Sequence, residues 1–235
     1  ATGQVARTGS ADPLDGAGAR VKHDVLASVV ATSARGEIGG ITSTGRMLRL
    51  QVVDLPLLPP AHGFPQLTGG VKVAEFAQLA KGEKMVALVP LDAVVALGTA
   101  NGVVKRLSPD YPLNRDEWEA ITLKDGDTVV GAAVGPDDAD LVFATRGAQL
   151  LRFAASAVRP QGRTAGGMAG IKLASDDSVI FFGVVEAAAQ APVFVSIATG
   201  SNTLPGTASH SVKVTDFAEY PAKGRATGGV RAHRF

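Results

Sequence analysis

A short pattern returns three times along this chain: a leucine, a turn, an acidic residue, then an apolar strand. It reads Leu79-Ala-Lys-Gly82-Glu83-Lys-Met85-Val86, Leu123-Lys-Asp-Gly126-Asp127-Thr-Val129-Val130 and Leu173-Ala-Ser-Asp176-Asp177-Ser-Val179-Ile180. A second pattern, a glycine turn with arginine four residues on, stands at Gly3…Arg7, Gly45…Arg49 and Gly102…Arg106, with a displaced copy at Arg146-Gly147 and Arg152. A third, Gly-Arg-x-x-Gly-Gly-apolar, occurs at Gly162–Met168 and again at Gly224–Val230. The three interleave, so they describe one unit of roughly 40–60 residues, and a period of that size points to a solenoid, a propeller or an array.

Each unit reads as short strands. Runs rich in β-branched residues cover Val25–Thr32, Glu37–Thr42, Met47–Val53, Met85–Val89, Val94–Thr99, Thr128–Val134, Leu141–Thr145, Val179–Val185 and Val193–Ile197. Turn residues separate them, as at Asn101-Gly102 and Asp125-Gly126. Only Asn114–Ala120 and Val73–Leu79 suggest a turn of helix. The expected fold is all-β, propeller-like, with about five four-stranded blades near residues 1–40, 41–97, 98–140, 141–190 and 191–235. Both ends are expected to fall inside a unit.

Composition narrows the chemistry. The 28 glycines and 13 prolines suit many tight turns, and with no cysteine there is no disulfide framework or thiolate zinc site. No apolar run approaches the length of a membrane span and no signal peptide is visible, so the expectation is a soluble cytoplasmic protein. Phosphate-loop, zinc-protease and serine-hydrolase motifs are missing, and the four histidines, His23, His62, His210 and His233, show no ligand spacing. Neither a catalytic residue, a metal site nor a cofactor site is expected. Tyr111 and Tyr220, each before a proline, read as structural anchors, and Trp118 sits in an acidic stretch unsuited to base stacking.

A net charge of +1 hides segregation. Residues 110–140 carry nine acids against Arg115 and Lys124, residues 141–175 carry five cations and no acid, and residues 220–235 carry Lys223, Arg225, Arg231 and Arg234 with no acid. Cations that return in register must line one rim of a radial array, and such a rim makes a curved track for a phosphate backbone. The rim set is Arg7, Arg46, Arg49, Lys105, Arg106, Arg152, Arg163, Lys172, Lys213, Lys223, Arg225, Arg231 and Arg234.

In combination these motifs resemble the blade repeat of the C-terminal domains of type IIA topoisomerase A subunits, gyrase and topoisomerase IV, of an actinobacterial kind. The clearest blade runs from Leu141 through Arg152, Arg159-Pro-Gln161-Gly-Arg163-Thr-Ala-Gly-Gly-Met168 and Lys172 to Asp177 and Val179. The resemblance implies a β-pinwheel whose basic rim binds and bends double-stranded DNA without sequence preference. It implies no chemistry in the domain itself. The nucleophilic tyrosine lies in the rest of the same polypeptide, and ATP and Mg are used by other parts of a heterotetramer completed by the ATPase-bearing B subunits, in the bacterial nucleoid. The gyrase box Gln-Arg-Arg-Gly-Gly-Lys-Gly is missing: the first-blade loop reads Leu14-Asp15-Gly-Ala-Gly-Ala-Arg20-Val-Lys22-His23, and the nearest relics are Gln161–Gly167 and Lys223-Gly-Arg225. That departure favours a topoisomerase IV-like role in decatenation and relaxation over true gyrase wrapping. A propeller that docks protein partners through the acidic segment 110–140 is the alternative from another class.

Overall fold

The glycine turns each close a β-hairpin, and the hairpins organise everything else. The computed structural model describes residues 3–9, 25–59, 66–199 and 210–234. Strands run at β1 (Gln4–Val5), β2 (Glu37–Thr42), β3 (Arg46–Gln51), β4 (Val71–Lys72), β5 (Met85–Val89), β6 (Val95–Thr99), β7 (Val103–Leu107), β8 (Glu117–Glu119) and β9 (Val129–Val134). They continue at β10 (Asp140–Thr145), β11 (Gln149–Ala154), β12 (Pro160–Gln161), β13 (Met168–Ala169), β14 (Val179–Val185), β15 (Val193–Thr199), β16 (His210–Asp216) and β17 (Val230–Arg231). One four-residue helix, α1 (Val73–Phe76), and four single turns of 3₁₀ helix accompany them.

Three sheets share one plan, with orders β5-β2-β3-β8, β9-β6-β7-β13 and β14-β10-β11-β17. In each, a hairpin forms the middle, the strand after the Leu-turn-acid pattern lies on one side, and a short strand from the following unit closes the other. We refer to them as the first, second and third blades. This exchange of edge strands makes the fold a β-pinwheel. It covers an edge that would otherwise expose unpaired backbone groups. Two further two-stranded sheets, β1-β4 and β15-β16, are described; β4 closes β1 as β8 closes β3.

The hairpin turns recur in atomic detail. Thr42, Thr99 and Thr145 are buried, and each hydroxyl accepts the amide of the residue four on, at Arg46, Val103 and Gln149, at 3.2 Å. The residue before that amide takes a positive φ: +82° at Gly45, +80° at Gly102 and +56° at Ala148. The third turn thus places its left-handed residue at Ala148, one residue after the glycine of Arg146-Gly147. The carbonyls of Gly45, Gly102 and Ala148 then accept amides from the next unit, from Ala120 and Ile121, from Gly170 and Ile171, and from Ala232. A Cβ on Gly45 or Gly102 would meet Ile121 O or Ile171 O at 2.8 Å, so glycine here serves both turn and blade docking.

β9 packs between β5 and β14 at the meeting of the three blades. Gly98 and Gly131 let the Phe182 side chain and backbone approach, and a Cβ at Gly131 would stand 2.2 Å from Phe182 O. One apolar cluster gathers Leu141, Phe143, Leu151, Phe153 and Phe182 with Ala96 and Val104 of the preceding blade, and a second gathers Ile41, Met47, Val95, Leu97 and Leu107 with Trp118. Packing therefore crosses every blade boundary.

The all-β, propeller-like reading holds, and among the described residues there are three sheets of four or more strands and two of two strands. Several expectations need correction. The boundaries 40/41 and 97/98 cut through β2 and β6. Val25–Thr32 forms no strand: it lies beside β5, where only Ser28 Oγ bonds Leu88 N and O. Asn114–Ala120 holds β8 instead of a helical turn, because strand donation overrides its local preference. Part of Val73–Leu79 is helical, as expected.

Candidate nucleic-acid interface

The recurring cations turn inward. Lys105 is fully buried, and its ammonium donates to Ala120 O, Arg163 O and Ala165 O, each at 2.7 Å. Arg106 is 2% exposed, donating to Gly135 O, Ala155 O and Val158 O and pairing with Asp137 at 2.5 Å. Arg49 pairs with Glu37, donates to Pro112 O and Arg115 O, and lies over the Trp118 ring at 5.3 Å. Arg152 lies over the Phe217 ring at 4.7 Å, with Asp140 at 3.6 Å. Arg7 donates to Leu55 O at 2.9 Å. At Arg7, Arg106 and Arg152 the backbone also receives a parallel bridge from a later unit, at Leu57, Pro160 and Ala222. These arginines are pins that hold the incoming edge segment against the hairpin.

This corrects the rim assignment. Lys105 and Arg106 have no surface to offer a phosphate. The guanidiniums of Arg7, Arg49 and Arg152 are engaged within the fold, and Arg46 is held by Glu83 and Glu117 at 2.7 and 2.5 Å. The acid-rich stretch supplies Glu117, Asp137 and Asp140 to these pins, so charge segregated along the chain is partly paired in space.

The acidic position of the Leu-turn-acid pattern is structural as well. Asp127 accepts the amides of Asn101 and Thr128, and Asp177 those of Gly147 and Ser178, binding each blade's two turns together. Glu83 reaches further, to Arg46, Thr44 and the Ala80 amide; the Arg46 bond chiefly holds its carboxyl well below the usual carboxylate range.

The other seven candidates lie on exposed or half-buried surface. Arg163, Lys172, Arg231 and Arg234 carry no side-chain bond to the protein; Lys213, Lys223 and Arg225 bond only backbone carbonyls, of Ala232, Gly228 and Ala169. Arg146 and Arg159, outside the predicted set, are also exposed and unpaired. Their signal was simple: cations in acid-free stretches that do not recur in the repeat.

The fold draws part of this set together. The end of β13 and the residues after it meet the loop before β17 through Arg225 Nη1 to Ala169 O at 2.5 Å, Ala226 N to Gly170 O at 2.7 Å and Lys172 N to Thr227 O at 3.0 Å. Residues some 55 apart in sequence thereby place Lys172, Lys223 and Arg225 on adjoining backbone, with Arg163 on the other side of β13 from Lys172. The loops Gly162–Gly167 and Gly224–Gly229 lead into the donated strands β13 and β17, on the sheet edges away from β9 and β14. In each Gly-Gly pair the second glycine serves the fold: a Cβ on Gly167 would meet Val104 O, and one on Gly229 would meet Leu150 O, both at 2.7 Å.

The anchor residues behave as expected. Tyr111 packs on Trp118 with ring centroids 5.1 Å apart, and Tyr220 on Phe194 at 5.8 Å. Burial pushes the Tyr111 phenol up to about 12. Trp118 is only 6% exposed and has no face for a base. His233 is buried between Ser196 Oγ and Ser211 Oγ at 2.8 and 2.7 Å, a packing role, and no group of acids and histidines among the described residues could hold a metal ion.

Comparison with known proteins agrees with this architecture. A family model described as the DNA gyrase C-terminal domain, beta-propeller, matches residues 119–136, 139–186 and 211–232, which begin at the last residue of β8 and include the donated strands β13 and β17. The chain is similar to the C-terminal domains of type IIA topoisomerase A subunits. The DNA gyrase A subunit of Mycobacterium bovis is 29% identical over 226 residues, covering 92% of this chain and 25% of that protein. The DNA gyrase A subunit of Staphylococcus epidermidis is 26% identical over 217 residues, covering 89% and 22%. The chain thus spans about a quarter of the curated relatives it matches. The solved C-terminal domain of DNA topoisomerase IV superposes with a TM-score of 0.67 at 22% identity, over 84% of this domain and 58% of that chain. The E. coli ParC C-terminal domain does so at 0.61 and 18%, over 98% and 90%. The domain therefore shares its fold with these solved domains. No helix among its described residues is long and apolar enough to cross a membrane. The first-blade loop Leu14–His23, where the gyrase box was sought, lies outside the described residues.

Proposed function

We propose that the domain binds duplex DNA without sequence preference, bends it along its basic periphery and presents it to the cleavage core of a type II topoisomerase. The observation that carries this is the joining of two acid-free, cation-bearing loops, 159–172 and 220–231, at the outer edge of neighbouring sheets. Arginine suits the role because its planar fork binds two phosphate oxygens at once. The contact set is Arg163, Lys172, Lys223, Arg225, Arg231 and Arg234, joined by Arg146 and Arg159. The domain needs no cofactor of its own; ATP and Mg serve other parts of an assembly of A and B subunits in the cytoplasm. Loss of the box sequence favours topoisomerase IV-like decatenation and relaxation. Likeness to proteins named gyrase keeps wrapping for negative supercoiling as the second reading.

A salt titration of binding to linear duplex tests the proposal. A steep log–log slope is expected, and Arg163→Ala with Arg225→Ala should lower it by about 2, one per lost phosphate contact. No binding at physiological salt would instead favour a protein-docking propeller. Relaxed plasmid incubated with the domain and a type I topoisomerase separates the two topological readings: a large linking-number change means wrapping, and little change with intact binding means the topoisomerase IV-like role.

A further inference from the structure

Lys105 breaks the register of the repeat. It stands three residues after the turn residue Gly102 and directly before Arg106; the corresponding places hold Leu48 before Arg49 and Leu151 before Arg152. Both leucines are buried among apolar side chains. An ammonium in that place loses its hydration at a cost of several kcal/mol, so its bonds must be good ones. They are: three carbonyl acceptors at 2.7 Å match its three donors.

Two of those acceptors, Arg163 O and Ala165 O, belong to the loop Gly162–Gly167. The carbonyl between them, Thr164 O, accepts from Thr122 Oγ1 at 3.1 Å. Three successive carbonyls are therefore held on the second blade, in a stretch containing three glycines. Nothing lies within 4 Å of a Cβ built on Gly162, so packing does not fix the loop there. The polar clamp supplies what packing lacks. It leaves the half-buried Arg163 side chain without a protein partner.

We propose that Lys105 is a positioning residue for nucleic-acid binding: its buried ammonium, helped by Thr122, holds the Gly162–Gly167 loop in the one conformation that presents Arg163 to a phosphate. The inference rests on the DNA-binding reading above. Fixing a contact loop before binding removes its ordering cost from the binding step. A phosphate contact made by a long side chain on a glycine-rich loop is where that saving is largest.

The test uses the 235-residue chain, Lys105→Met and Thr122→Val, with Arg163→Ala in each background. Lys105→Met is matched to a site where neighbouring blades carry leucine; Thr122 is exposed, so Thr122→Val keeps the test alive if Lys105→Met does not fold. Without DNA, backbone NMR order parameters at Arg163–Ala165 should fall from about 0.85 to below about 0.6 in Lys105→Met, and partway in Thr122→Val, while Arg225–Thr227 stay unchanged. With linear duplex, Lys105→Met should lower the salt slope by about 1, and adding Arg163→Ala should change it no further. Unchanged order parameters would overturn the clamp whatever the binding result. Additive losses from Lys105→Met and Arg163→Ala would overturn action through Arg163. If the parent chain fails to bind duplex, the DNA reading falls with its Arg163 clause, and the order parameters still decide the clamp.

Discussion

The loops Gly162–Gly167 and Gly224–Gly229 share one sequence motif and stand on different supports. The first is tied from below by Lys105 and Thr122 of the second blade. The second bonds within itself, with Lys223 Nζ to Gly228 O at 2.9 Å and Thr227 Oγ1 to Gly224 O at 2.7 Å, and joins Ala169–Lys172 through Arg225, Ala226 and Thr227, but no buried ammonium lies beneath it: the residue in line with Lys105 is Leu151. Their pins differ too. Arg106 is almost wholly buried with four acceptors in reach, whereas the Arg152 side chain is 20% exposed, has long contacts of 3.4 and 3.6 Å and leaves Nε unpartnered. The motif thus encodes how a loop meets its neighbour, while the first loop's added support comes from Lys105 and Thr122, about 60 and 40 positions earlier.

The largest effect expected from this contrast is on stability. Arg106→Ala takes the guanidinium away from buried carbonyls at Gly135 and Val158, and from Ala155 O, which keeps the Val158 amide; it should cost about 3 kcal/mol, against about 1 kcal/mol for Arg152→Ala. Urea denaturation with unchanged m-values measures both; equal losses would erase the distinction between the two pins.

Alkaline pH sharpens the contrast next. Burial brings the Lys105 ammonium down to about 8 despite the opposing charge of Glu119, against an ordinary value of 10.5. Between those values the unfolded chain binds more protons, so unfolding free energy should rise with pH, at most by about 1.4 kcal/mol per unit. The neutral amine keeps only two N–H donors for three carbonyls, so the first loop should loosen locally over the same range. Lys105→Met should abolish both trends. A flat profile in the parent chain would mean that the lysine does not titrate there.

The smallest effect concerns the blade beneath the second loop. Ala148 sits at φ +56° where the sister turns use glycine, so Ala148→Gly should add about 0.5–1 kcal/mol, read as a rise in melting temperature. No gain would show that the strain is relieved by Ala148 docking on Ala232.

Much of the fold was legible in the sequence because each hairpin carries its own signals: β-branched runs, a turn glycine, an acid to cap the turn. The edge strands were not. Glu117–Glu119, Met168–Ala169 and Val230–Arg231 are too short to show a period of two, and their partners lie more than 60 residues away. Val25–Thr32 misled in the opposite sense, since an apolar run signals burial or a strand only if a partner is present. For the candidate site, recurrence alone did not separate the cations that the hairpins bury or pair from those left at the surface. Arg49, Arg106 and Arg152 recur because each hairpin requires them, whereas Arg163 and Lys172 recur as Arg225 and Arg234 in the Gly-Arg-x-x-Gly-Gly segments and stay at the surface.

The donated strands also bear on how such a chain matures as it leaves the ribosome. Met168–Ala169 completes a sheet whose hairpin began at Val95, and Val230–Arg231 one that began at Asp140. Each blade therefore stays open until most of its successor has been synthesised, and at every moment one sheet edge is waiting for chain not yet made. Deleting a whole repeat would leave the number of such waiting edges unchanged, whereas a cut within a repeat would strand two. Repeat number can change by whole units without a new edge to protect, and blades of this design can be gained or lost while the remaining sheets keep their pairing.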